Sequence, residues 1–177
     1  MNTAEDMKKL NALRTYMIEW ERGCPKRIQH FLKVNQFAEA IAMGENVDDH
    51  TLFIVRALGY VHDIGIRVSI EKEGTYTPRT QEAYGAEAAA ELLPKLGFTP
   101  EDTERISLII GKHHTYNADI EGLDFRILLE ADACVNLYDH ASSREAIKEM
   151  LKKVFRTQTG TWICRTMFDI PDDAAES

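Results

Sequence analysis

Long apolar runs are missing from this sequence. No stretch of eighteen residues is apolar enough to span a bilayer, and the amino-terminal MNTAEDMKKL is amphipathic and mixed in charge, unlike a secretory leader. A membrane role is therefore not expected, and a cytoplasmic location is. Cysteine is scarce: Cys24, Cys134 and Cys164 are widely spaced with no CxxC pair, which argues against a disulfide framework and a zinc ribbon and suits a reducing compartment. Positive charge is the minority sign, 21 Lys and Arg against 29 Asp and Glu, and a formal charge of −8 offers no grip on the phosphate backbone of DNA or RNA. A small anion held by a local cation stays compatible with that balance. Strand-length alternation, internal repeats and low-complexity tracts are absent too. The expectation is an all-α fold, a single-domain helical bundle, for which 177 residues supply a sizeable core.

What is present is helical periodicity. In residues 3–22 Met7, Leu10, Leu13, Met17 and Trp20 recur at three and four residue steps, with Thr3 as cap. A second helix is predicted over residues 26–43, its stripe of Val34, Phe37, Ala38 and Ile41 running back through His30 to Arg27. Asp48 or Asp49 caps a third, whose TLFIVRALGYV carries one charge, Arg56, before ending in His62-Asp63. Residues 64–79 show no sustained period and are expected to form a mobile loop bordering a pocket. A fourth helix begins at Thr80 and closes at Pro94 and Gly97; a fifth, capped by Thr99, runs to His113-His114. Asp124 is expected to cap a sixth, Ser142 or Ser143 a seventh, and residues 157–170 a short last helix before an acidic tail. The division expected is 1–25 for a helix packed on the domain, 26–156 for the main helical domain, and 157–177 for the last helix and tail.

Ionisable residues on apolar faces carry the chemistry. A buried unpaired charge costs several kcal/mol, roughly, so His62 and Asp63 at the end of a core helix need a partner. A structural reading has Asp63 ending the helix, His62 bonding a carbonyl and Gly65 taking the turn. Asp132 changes the weighting, because it interrupts the apolar line of Phe125, Leu128, Leu129 and Val135, and the nearest cation along that helix, Arg126, is six residues away on the wrong side. Three helices thus direct His30, His62-Asp63 and Asp132 inward, a set suited to one divalent metal with positions open for water and substrate.

The segments RIQHFLKVNQFA, ALGYVHDIG, GKHHTYN and LLEADACVNL, in this order, resemble the HD-domain superfamily of metal-dependent phosphohydrolases. The resemblance covers about Arg27 to Asn136. It implies a helical bundle with the metal at its centre, ligated by His30, His62, Asp63 and Asp132, and hydrolysis of a phosphate ester in a small metabolite, a nucleotide by preference. Asp63, His113 and His114 are the candidate catalytic residues, the histidines contacting a phosphoryl oxygen or relaying a proton. Arg27, Arg67, Lys112 and Gln81 are candidate substrate contacts; a lone Arg or Lys is otherwise just solvated. Tyr76, Tyr84 and Tyr116 are candidate pocket walls, and Glu130 is read as packing or support.

The chain departs from the superfamily pattern at Gln81, where members holding two metals place a histidine. Amide oxygen is a poor ligand for a transition metal, so one ion is expected, its identity open among Fe, Mn, Zn, Co and Ni, and a second is not, beyond a weak one at His113 and His114. Ile66 and Arg67 also stand after Gly65 where the superfamily commonly has a lysine. Two rivals are carried: a di-iron oxygenase-type enzyme on the same fold, and a metal-binding sensing or scaffold domain without catalysis. No nucleic acid or membrane partner is expected, and a homo-oligomer is left open.

Overall fold

The computed structural model describes residues 3–171, and among them every regular element is helical. The expected acidic tail lies, past Pro171, outside the described residues. Helix α1 (Ala4–Trp20) starts at the predicted cap: Thr3 Oγ1 accepts the Asp6 N–H at 3.1 Å, while the Asp6 carboxylate accepts the Thr3 N–H at 2.9 Å. Its Leu10, Leu13 and Met17 are buried. Helix α2 (Pro25–Gly44) has proline in its first turn and buries Phe31, Val34, Asn35, Ala38, Ile41 and Ala42. Asp48 caps α3 (Asp49–Val61) through the Thr51 N–H at 2.7 Å.

Helix α3 is the centre of the bundle. Its buried positions run round the helix and include Phe53, Ile54, Val55, Ala57, Leu58 and Val61, because α1, α2, Pro100–Ile110 (α6) and Leu123–Asp139 (α7) pack around it. Gly59 permits a close approach of α2, since a Cβ there would lie 2.5 Å from Asn35 Cα. Asn35 Nδ2 then donates to the Arg56 carbonyl at 2.7 Å, tying α2 to α3 just where both carry inward histidines.

Residues 64–79 are not the expected loop. Gly65–Glu73 is a helix, α4, packed on α5 (Pro78–Leu92). It buries only Gly65, Ile66 and Ser69, so its period is too short to read beneath a charged IEKE run. Gly65 is not a turn residue either. A Cβ on it would run into the Gln81 carbonyl and the Gly85 backbone, so the two glycines let α4 and α5 touch. Gly74, at φ 73°, ends α4, and α5 begins at Pro78, not at Thr80, with Thr77 as its cap. After a 3-10 turn at Leu93–Leu96, Thr99 caps α6 through the Asp102 N–H at 3.1 Å as expected. That helix stops at Ile110, short of His113, with Gly111 as C-cap.

Asp124 does not cap α7. Gly122 holds the N-cap position, and the buried Asp124 carboxylate takes Arg105 Nε at 2.8 Å and Nη2 at 2.6 Å, a bidentate pair that outcompetes a cap. Ser143 caps α8 (Arg144–Val154) through the Ala146 N–H at 3.2 Å. Helix α9 (Gln158–Phe168) follows, and α8 and α9 pack on each other and on α7. Glu130 is the support the sequence suggested. Fully buried on α7, it accepts the Arg156 N–H at 2.6 Å, the Thr157 N–H at 2.9 Å and the Thr157 hydroxyl at 2.5 Å. Burial still pushes its carboxyl above the usual range, against those donors.

Two outcomes follow from this packing. Amide exchange should be slow at the buried Ser69 and fast at residues 74–76; fast exchange throughout residues 65–73 in a mass-spectrometric time course would contradict α4 as a packed helix. Glu130→Ala should lower the unfolding free energy by about 3 kcal/mol in urea titrations, since orphaned buried donors cost about 1–3 kcal/mol each.

Candidate metal centre

His30 lies near the start of α2, His62 and Asp63 directly follow α3, and Asp132 sits mid-way along α7. The fold brings all four together. His30 Nε2 is 3.1 Å from Asp132 Oδ1 and 3.5 Å from Asp63 Oδ2; His62 Nε2 is 3.5 Å from Asp63 Oδ2 and 3.6 Å from Asp132 Oδ1. His113, in the turn after α6, joins them with Nε2 3.6 Å from Asp63 Oδ1.

The other ring nitrogens explain this orientation. His62 Nδ1 faces the Gly59 carbonyl at 3.3 Å and His113 Nδ1 the Ile110 carbonyl at 2.7 Å, so each Nδ1 carries the proton and donates it outward. His30 Nδ1 faces the Asp139 carboxylate at 3.6 Å, itself held by Lys33 Nζ at 2.5 Å. Each Nε2 then presents a lone pair. Nε2 of His30, His62 and His113 is buried and makes no hydrogen bond among the described residues. Imidazole lone pairs facing carboxylates repel unless a cation lies between them. The donor set, nitrogen and carboxylate oxygen, suits a divalent transition metal.

Without a metal a proton fills that need. Burial alone would push His62 down, yet Asp63 and Asp132 outweigh it and raise the imidazole to about 9. Asp63, against the cost of burial, is held below the usual carboxylate range by His62, His113 and His30. Asp132, likewise against the cost of burial, is held low by the neighbouring His30 and His62. Asn136, one turn on, donates Nδ2 to Asp132 Oδ1 at 2.9 Å.

Ligand atoms fall into two clusters, each within 4.8 Å: His30, His62 and Asp132, and Asp63, His113 and His114. Asp63 joins them, one oxygen toward each. His114 is positioned by Glu82, whose Oε1 accepts its N–H at 3.0 Å and the Thr115 hydroxyl at 3.1 Å. Its Nε2 is paired with the amide oxygen of Gln81, which is buried at the start of α5. Burial and the adjacent His113 push His114 down to about 4, so it is neutral at neutral pH.

The cluster opens on a cavity of about 480 Å³. His30, Asp63, Gln81, His114 and Asp132 line it, with Arg27, Tyr76 and Tyr116 among the residues the sequence proposed. Arg27 Nε donates to the buried Glu21 at 2.6 Å, which fixes its guanidinium at the rim. Ile66, Tyr76 and Pro78 place residues 64–79 at the pocket edge, as expected of them. Arg67, Lys112 and Tyr84 do not line it. Arg67 reaches instead for the Trp20 carbonyl and Glu71, Lys112 is exposed, and the Tyr84 hydroxyl donates to Glu73. Sequence reasoning missed Lys26, Glu82 and Asp139. Lys26 adjoins Arg27, and Asp139 follows Asp132 by seven residues, two turns along one face, a spacing that could have found it.

Comparison with known proteins agrees with this geometry. The family model of the HD domain matches residues 27–154. No curated protein gives a match. Among solved structures, a predicted HD superfamily hydrolase from an uncultured Thermotogales bacterium superposes with a TM-score of 0.67 at 26% identity, covering 96% of this chain and 92% of its own. Bacillus subtilis YpgQ shares the fold, with TM-scores of 0.62 and 0.53 at 17% and 18% identity in two structures. They cover 98% and 97% of this chain and 100% and 86% of their own. Matched over most of its length and carrying the motif histidines and aspartates on the helices where the fold converges, the chain belongs to the HD domain family.

Proposed function

We propose that this protein hydrolyses a phosphate ester of a small metabolite, a nucleotide by preference, with one divalent transition-metal ion held by His30, His62, Asp63 and Asp132. The observation that carries this reading is the set of buried Nε2 atoms aimed at two carboxylates with no hydrogen bond between them. A similar structure at 26% identity is a predicted HD superfamily hydrolase, which supports the class. When bound, the metal supplies polarisation of a phosphoryl oxygen and a water of lowered pKa. The chain's own residues do the rest. Lys26 and Arg27 at the rim attract and orient the phosphate. Neutral His114, beside the cluster, serves as a proton acceptor or relay, because its lowered pKa gives it no cationic role. Tyr76 and Tyr116 offer faces for a planar base. The substrate partner is thus a small phosphorylated metabolite. No helix among the described residues is long and apolar enough to cross a membrane, in keeping with the cytoplasmic setting we assign.

A second reading, oxidative chemistry at a two-iron centre, draws support from the second cluster of Asp63, His113 and His114. Against it stands Gln81, whose amide oxygen engages His114 Nε2 where a further imidazole would be needed.

Two experiments test the proposal. Metal analysis of freshly purified protein, then a screen of nucleotides and sugar phosphates with added Mn, Fe, Co, Ni or Zn, should find about one tightly held ion and a hydrolysed phosphate ester. Asp63→Ala or Asp132→Ala should remove the ion and lower turnover by about a thousandfold, the effect of losing several kcal/mol of transition-state stabilisation; an Asp132→Ala protein that keeps both would overturn the ligand set. The second concerns Gln81. Wild type should retain about one equivalent after dialysis, and Gln81→His should retain a second; two retained equivalents in wild type would favour the oxidative reading.

A further inference from the structure

We propose that the groove along α8 and α9 is a second ligand site, taking a nucleoside phosphate with its base on Trp162 and its phosphate between Arg144 and Arg156. The groove encloses about 970 Å³, larger than the cavity at the metal cluster and ample for such a ligand. Arg144 and Arg156 line it, and among the described residues Asp169 is the one carboxylate of that lining, in a chain with a formal charge of −8. Arg144 Nη2 donates to the Asp169 carbonyl at 2.8 Å. Arg156 donates to the Phe155 carbonyl at 2.6 Å and to the Lys152 and Lys153 carbonyls at 3.0 Å. These anchors are neutral. They hold the two guanidiniums in place and leave their charge for an anion, and the planar fork matches phosphate oxygens.

Trp162 supplies the other half of the ligand's description. It is 64% exposed on the groove, where a large flat apolar ring offers a stacking face for a base. Bare phosphate would leave that ring uncovered, and an acidic peptide would bring no base to it. The groove floor is also joined to the metal helix, because Arg156 and Thr157 donate their N–H groups to Glu130, two residues before Asp132. An occupant of the groove would sit behind the helix that carries a metal ligand.

The test is calorimetric titration of ADP, adenosine and inorganic phosphate, without added metal, into full-length protein carrying Asp63→Ala. That background removes a proposed metal ligand, and because Lys26, Arg27, Tyr76 and Tyr116 stay in the pocket over the metal cluster, the Trp162 and Arg144 variants tell binding in the groove from binding there. ADP should bind once per chain, with adenosine and inorganic phosphate each weaker by about tenfold or more. Adding Trp162→Ala should weaken ADP about tenfold, Trp162→Phe should restore most of it, and Arg144→Ala should weaken ADP but not adenosine. Both side chains are exposed, and unchanged circular dichroism would establish that the variants are folded. The proposal is overturned if ADP gives no binding at millimolar concentration, if inorganic phosphate binds as tightly as ADP, or if a folded Trp162→Ala protein binds ADP undiminished.

Discussion

The interaction on which the structure depends is the enforced meeting of acceptors at the centre of the bundle. Carbonyls of Gly59 and Ile110 take the Nδ1 protons of His62 and His113, so the Nε2 lone pairs have nowhere to point but toward Asp63 and Asp132. Three helices and a turn converge there, and the close α2–α3 approach over Gly59 puts His30 and His62 with ring centres 5.5 Å apart. Such a cluster is unstable without a positive charge inside it. In the metal-free chain the His62 proton provides it, which is why that imidazole is raised to about 9 although burial opposes the charge. On the proposed reading, metal uptake at neutral pH would exchange a proton for the ion.

Other buried acids show what a purely structural carboxylate looks like in the same fold. Asp124 faces the Arg105 guanidinium, Glu21 faces Arg27, and Glu130 faces two backbone N–H groups and a hydroxyl. Each meets donors, so each is satisfied where it stands. Asp63 and Asp132 face imidazole nitrogens that make no hydrogen bond to them, although Asp132 also accepts the Asn136 amide. The contrast between donors and acceptors separates the metal pair from the anchors more sharply than burial does, since both kinds are buried or nearly so.

This contrast also explains how much could be read in advance. Caps at Thr3, Asp48 and Thr99 and the apolar lines of α1, α2, α3 and α7 are local signals, and the structure follows them. The four converging residues were legible because an ionisable group on an apolar stripe is conspicuous. What escaped was decided by tertiary partners. Arg105, nineteen residues before Asp124, drew that carboxylate away from capping, and the Trp20 carbonyl drew Arg67 away from the pocket. Helix α4 hid because a nine-residue helix packed mainly on α5 needs few apolar positions. Glu130 showed its burial in the pattern, but its partners, twenty-six and twenty-seven residues on, did not.

The two halves of the central cluster differ in how firmly they are built. His30 and Asp132 project from long helices, and His62 closes the central helix α3, so the geometry of this half is fixed by the core. His113 and His114 stand in a turn beyond α6, and His114 keeps its place through Glu82 and Gln81 on α5. One nitrogen of His114 is already committed to the Gln81 amide, so a cation there would have to break that hydrogen bond or use the other nitrogen. Asp63, reaching both halves, couples them: an ion on its Oδ2 side withdraws negative charge from the Oδ1 side and makes a second ion harder to hold. Unequal rigidity and a shared carboxylate thus act in the same direction, favouring an ion on the side of His30, His62 and Asp132, while His113 stays buried behind the pocket and His114 lines it.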